Sequence, residues 1–194
     1  MLGWSSKMTM NVIVPYVNPM DAQATALAME RIYPTYIKME DDEHYWRLLK
    51  ELWTSGEPFI ILEQDMIPWP GALKQLWDCE EEWCAFPYKL SHDNGFTCAL
   101  GCTKFGSQLT QRLPNALDLL AEGHTTLFWA RDGITKHWLG LDSRLAMTIY
   151  KKADRNGWPH RHEPPVIHLN LMHTIAGGRH SAEISLSLLR IKGK

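Results

Sequence analysis

No apolar run in this 194-residue chain approaches the roughly 18 residues that a membrane-spanning helix needs. The longest buried-looking stretch is Phe59 to Leu62. Residues 1 to 20 lack the basic start and unbroken apolar core of a secretory leader, so a soluble, cytoplasmic protein is the expectation. An excess of one charge is missing too. Twenty Lys and Arg face 22 Asp and Glu, a net charge of −2, which gives no support to nucleic-acid binding. There is no internal repeat, low-complexity stretch or dividing linker, and residues 1–194 read as one domain. Tight Cys-x2-Cys pairs are absent as well. Four residues separate Cys79 from Cys84 and three separate Cys98 from Cys102, so free buried thiols are the plainer reading and structural zinc the alternative.

What is present suits a globular fold: 45% apolar and 22% charged residues. The charge is split along the chain. Residues 1–82 hold 6 basic and 14 acidic groups, whereas residues 83–194 hold 14 basic and 8 acidic. Five of the nine histidines fall between His160 and His180. Halves of opposite sign can clamp a metal with one and a phosphate with the other. On charge alone, mutual neutralisation across a packed surface explains the split better.

Met10 to Val14 is a β-branched apolar run that Pro15 is expected to stop. Asp21 can cap a helix through Ala24, Leu27, Ala28 and Ile32, and Tyr36-Ile37 reads as a short strand. Asp41, Asp42 and Glu43 load the start of the next helix with negative charge; Tyr45, Leu48, Leu49 and Leu52 share its apolar face, and Gly56 ends it. Pro58 to Leu62 is a strand buried on both faces, as inside a parallel sheet. A helix opened by Pro70 carries Leu73, Leu76 and Trp77. Further strands are expected at Trp83–Phe86, Thr97–Cys102 (after an Asn94-Gly95 turn) and Pro165–Leu169, with helices at about 107–121 and 142–155. Residues 181–191 fit either a helix or a strand. The alternation implies an α/β fold with a mixed, mainly parallel sheet flanked by helices.

Ligands of such sheets bind beyond the carboxyl ends of the strands. Glu63 and Asp65 stand there, and two carboxylates so close repel unless a proton or cation intervenes. Magnesium or manganese suits oxygen donors of this type, although two solvated acids before Pro68 would need no ion. His168 lies in an apolar late strand, where a core histidine is the commoner role. Asp142 precedes a helix bearing Leu145, Ala146, Ile149 and Tyr150, where it can cap the helix or take a proton from a hydroxyl.

In this order the three elements resemble the GT-A fold glycosyltransferases. Val12 to Asn18 is similar to the first strand and nucleotide loop of those enzymes. Ile60 to Asp65 resembles their buried strand and acidic metal motif, here an E-x-D variant of Asp-x-Asp. Trp138 to Asp142 is similar to their acceptor-side motif, and His168 to their late metal histidine. The resemblance runs from about Met10 to Asn170. It implies a manganese or magnesium ion held by Glu63, Asp65 and His168, and nucleotide contacts from Tyr16, Asn18, Gln64 and Arg179. It also implies a nucleotide-sugar donor, UDP-linked by preference, and Asp142 as the base that activates an acceptor hydroxyl with inversion. Trp138 is a candidate platform for the acceptor sugar. Two other readings stand beside it: a metal-dependent hydrolase built on His160, His162, His168 and Asp65, and a non-catalytic nucleotide- or carbohydrate-binding domain.

Overall fold

The computed structural model describes residues 10–19, 22, 25, 32–89, 96–122, 136, 141–153 and 159–169. Ten strands lie among them: β1 (Val12–Tyr16), β2 (Thr35–Lys38), β3 (Phe59–Leu62), β4 (Met66–Ile67), β5 (Trp83–Ala85), β6 (Tyr88–Lys89), β7 (Phe96–Thr97), β8 (Cys102–Phe105), β9 (His160–Arg161) and β10 (Ile167–His168). The helices are α1 (His44–Ser55), α2 (Ala72–Asp78), α3 (Ser107–Arg112) and α4 (Leu141–Ala153), with a 3-10 turn at Leu119–Glu122.

Six strands form one sheet in the order β2-β1-β3-β8-β5-β9. The β2–β1, β1–β3 and β5–β9 pairs are parallel, while β8 pairs antiparallel with both β3 and β5. Five strands therefore run one way and β8 alone is reversed. This is the mixed, mainly parallel α/β sheet that the sequence implies.

Side chains alternate across a strand, and the apolar residues of β1 and β3 obey that period. Ile13, Phe59 and Ile61 join a core beneath α1, α3 and α4. Val12, Val14, Ile60 and Leu62 join a second core beneath α2. The first is anchored by aromatic rings: Phe105 lies 5.3 Å from both Trp53 and Phe59, and 5.5 Å from Trp83. Trp83 Nε1 donates to Thr103 Oγ1 at 3.0 Å, so the indole N–H is paired although buried.

The local expectations met varied outcomes. Asp41 and Glu43 precede α1; Asp41 accepts from the Glu43 N–H at 2.9 Å and pairs with Arg47 at 2.6 Å. Gly56 ends α1 at φ 72°, its N–H bonded to the Trp53 carbonyl. Pro15 does not stop β1. Its pairing with β3 ends at Ile13, so a residue without an N–H is tolerated where only the β2 ladder continues, with Pro15 opposite Ile37. The helix expected at 107–121 is broken after Arg112, because Pro114 cannot continue the backbone ladder. The helix from Asp21 falls mostly outside the described residues; of it, Ala22 and Thr25 are helical. Residues 181–191 lie outside them altogether.

Thr97–Cys102 is not one strand. Ala99 to Gly101 turns between β7 and β8, and buried Thr103 and Lys104 carry β8 onward. Gly101 is required by close approach: a Cβ there would meet Met66 Cε and lie 2.7 Å from Tyr88 Cε1. Met66 can swing aside, but the Tyr88 ring packs against His168 with centroids 5.2 Å apart. Gly101→Ala is therefore expected to destabilise the fold by about 1–3 kcal/mol. Urea unfolding would measure it, and an unchanged midpoint would show that the space relaxes freely.

Candidate functional site

Parallel β1 and β3 end at the same edge of the sheet, and the loops that follow them meet there. The clasp is Gln64. Its Oε1 accepts from the Val17 N–H at 2.7 Å and the Asn18 N–H at 3.1 Å, tying the loop after β1 to the loop after β3. Thr25 supports the clasp from below, its buried hydroxyl set between the Gln64 carbonyl at 2.5 Å and the Met66 carbonyl at 3.2 Å. Tyr16, at the end of β1, meets Tyr36 edge-on at 6.4 Å.

The far end of the chain returns to this edge. β10 pairs antiparallel with β4, Ile167 opposite Ile67 and His168 opposite Met66, and the Leu169 N–H reaches the Asp65 carbonyl at 2.9 Å. The ladder brings His168 Nε2 to 3.0 Å from Asp65 Oδ2, across 103 positions of sequence. On the other side of the ring, Nδ1 sits 3.1 Å from the Lys89 carbonyl. Both ring nitrogens thus face acceptors. Burial opposes a charge on His168, but the Asp65 hydrogen bond and charge outweigh it, and the pKa rises above its ordinary value.

Glu63 is partly buried beside this pair. Its Oε1 accepts from the Tyr45 hydroxyl at 3.0 Å, and its own N–H bonds the Gly101 carbonyl at 2.9 Å. Loss of solvent, then the Asp65 charge and more weakly Asp142, push its pKa to about 8, against the lowering influence of Tyr45 and His168. A proton on Glu63 is therefore held more tightly in the folded chain than in the unfolded one. The stability it contributes is full below about 4.5 and is lost as pH climbs through about 8. Glu63→Gln keeps a neutral acceptor for Tyr45 and should free the fold of that loss. Thermal melts from about pH 5 to about pH 9 should show the variant gaining over wild type as pH rises, by at most a few kcal/mol. Parallel curves would count against a protonated Glu63.

Asp142 lies in the first turn of α4, where the helix dipole favours a carboxylate. Its Oδ1 accepts from the Ser143 N–H at 2.7 Å, a contact one residue away rather than the longer reach of a cap. Burial raises its pKa, and the Ser143 donors oppose the rise. Its charge acts on Glu63, Tyr45 and Tyr88, which places it in the same electrostatic neighbourhood.

Of the residues singled out from sequence, Asp65 and His168 are in direct contact, Glu63 lies beside them, Asp142 is within electrostatic reach of Glu63, and Tyr16, Asn18 and Gln64 line the same edge. Arg179 and Trp138 lie outside the described residues, as does the Asn94-Gly95 turn. Glu63 faces Tyr45 rather than closing a tight trio with Asp65 and His168. Among the described residues, the His, Cys, Asp and Glu side chains whose ligand atoms all lie within 4.8 Å of one another are Cys79, Cys84 and His162. The histidines are divided: His160 and His162 pair edge-on at 5.1 Å, while His168 belongs to Asp65. Trp83 and Trp69 are packing residues. Trp83 is core, and Trp69 meets Phe86 at 5.4 Å and donates to the Pro164 carbonyl at 3.2 Å.

Sequence reasoning missed Thr25, Tyr45, Tyr88 and Gly101. Tyr45 hid within an apolar helical face, and Thr25 carried only the faint signal of a hydroxyl among alanines. Nothing local marks Gly101, whose neighbours come from β4 and β6.

No family model matches this chain, and no curated protein does. Among solved structures it is similar to the crystal structure of a glycosyltransferase involved in the glycosylation of the major capsid of PBCV-1. The TM-score is 0.50 at 12% identity, over 92% of this chain and 98% of that one. The likeness is one of fold and extends over nearly the whole of both chains. Among the described residues, no helix is long and apolar enough to cross a membrane.

Proposed function

We propose that the protein is a metal-dependent glycosyltransferase of the GT-A type, moving a sugar from a nucleotide-sugar donor, a UDP-sugar by preference, to an acceptor hydroxyl. The observation that carries this reading is the Asp65–His168 contact at the carboxyl edge of the parallel strands. The donor set fits a hard-to-borderline divalent cation such as manganese or magnesium. Asp65 supplies an oxygen, and His168 offers Nε2 while Nδ1 is oriented by the Lys89 carbonyl, the usual support of a ligating imidazole. Asp65 and His168 would hold the ion, with Glu63 as the adjoining acid. When bound, such a cation supplies charge stabilisation for a departing diphosphate.

The chain's own residues do the rest. Gln64 fixes the Val17–Asn18 backbone beside the acid loop, so that the donor pocket and the metal ligands keep one geometry. Tyr16 offers a ring at the strand end for the nucleotide base. Asp142, desolvated and set at a helix start, accepts the proton of the attacking hydroxyl, which permits single-step displacement with inversion. The fold shared with the capsid-modifying glycosyltransferase supports this reading. The separation of His160 and His162 from His168 weighs against a hydrolase built on all three.

A thermal-shift panel of nucleotides and nucleotide sugars, with and without manganese, tests the proposal. A nucleoside diphosphate at about 100 times its Kd should stabilise the fold by about 2.7 kcal/mol, and only when the metal is present. Stabilisation by metal alone, with indifference to every nucleotide, would favour the hydrolase.

A further inference from the structure

A second cluster lies on the α2 side of the sheet and shares no residue with the site above. Cys79 follows the end of α2, Cys84 is central in β5, and His162 follows β9. Sheet register assembles them: Cys84 stands opposite His160 on one neighbour and Lys104 on the other, and the His162 N–H continues the ladder to the Ala85 carbonyl at 2.9 Å. The ligand atoms of Cys79, Cys84 and His162 all lie within 4.8 Å of one another. Tetrahedral zinc with sulfur at about 2.3 Å sets its ligands roughly 3.8 Å apart, so a side-chain adjustment of about one ångström closes the set.

We propose that Cys79, Cys84 and His162 form a binding site for a thiophilic divalent ion, zinc by chemistry. Three features ask for one. The Nε2 atom of His162 is buried with no hydrogen-bond partner, an arrangement that native interiors avoid. The Cys84 thiol is fully buried, with a long contact of 3.7 Å to the Leu76 carbonyl and the Cys79 thiol as its other neighbour. Lys104, itself buried, donates from Nζ to the Cys79 carbonyl, and its positive charge partly offsets the burial and the Cys79 contact that hold the Cys84 thiol well above its ordinary pKa. Two thiolates and one neutral imidazole balance a divalent charge, and sulfur with imidazole selects zinc over magnesium or manganese. Cys79 and His162 also line a cleft of about 510 Å³ together with Gln75 and Asp78 among others, from which a water would complete the ligand set.

The ion would tie the end of α2, the inner strand β5 and the edge strand β9. β9 is two residues long and exposed, held by its pairing with β5 and by the His162 ring against Phe86 at 5.3 Å, and the ion would add a third tie. Six residues beyond His162 the chain delivers His168 to Asp65. The zinc set therefore anchors the segment that completes the carboxyl-edge site without touching it.

Cobalt titration of the reduced full-length chain reads this directly. One ion per chain should give thiolate-to-cobalt charge-transfer absorption and tetrahedral d–d bands, both displaced by zinc. Cys79→Ser, at a partly exposed position that tolerates the change, should abolish the charge-transfer band, and Cys84→Ser should do the same. His162→Gln should weaken binding at least tenfold. Asp65→Asn should leave the band intact, which separates this ion from one at the other edge. No charge-transfer band in the wild-type chain would overturn the site, and so would a band that survives Cys79→Ser unchanged.

Discussion

Asp65→Ala is expected to lower glycosyl transfer by about 10²–10³-fold, the usual cost of removing one electrostatic stabiliser of a developing negative charge. Manganese-dependent stabilisation by nucleotide should vanish with it. The substitution removes the side chain that faces His168 Nε2 but not the main-chain bond from Leu169 to the Asp65 carbonyl, so β4 and β10 should stay paired. Loss of the charged hydrogen bond should cost about 2 kcal/mol of stability, leaving a folded protein in which to measure the defect. Titration of His168 by NMR provides an independent readout: without Asp65 its pKa should fall, because burial is then opposed only by the weaker influences of the Lys89 carbonyl and Glu63. Nucleotide binding that remains metal-linked in the variant would remove Asp65 from the site.

Asp142→Asn should lower kcat by about 10²–10⁴-fold while leaving donor affinity almost unchanged. A base acts on the acceptor proton in the transition state, not on the bound nucleotide. Asparagine keeps an oxygen for the Ser143 N–H, so the start of α4 should hold. The measurement is a comparison of kcat with the nucleotide dissociation constant, alongside a melting curve. Equal turnover in variant and wild type would retire Asp142 as base, and a large drop in melting temperature would reduce it to a support for α4.

The parts of the fold legible in the sequence were those whose cause is local. Phe59 to Leu62 announces a strand buried on both faces by four consecutive apolar residues, and α1 announces itself by its apolar stripe, preceding acids and terminal Gly56. β8 was obscure because half of it is Thr103 and Lys104, polar residues whose burial depends on partners in β5 and after α2. The candidate site divides in the same way. Glu63, Asp65 and Asp142 follow from their place at strand and helix ends. The Tyr45 bond to Glu63 and the Thr25 bond beneath Gln64 span 18 and 39 positions, and no short motif encodes them. Cys79, Cys84 and His162 show the same limit, because a spacing of four residues hides a pair that a helix end and a strand bring together.

The distance in sequence between Asp65 and His168 has a consequence for how the molecule comes into being. Closing a loop of 103 residues costs an unfolded chain about 4 kcal/mol in entropy, which favours their meeting late, after the strands between them have paired. On the ribosome, the acidic edge emerges first and waits for its imidazole until the last described strand has been made. The nascent polypeptide thus lacks the Asp65–His168 contact through most of its synthesis.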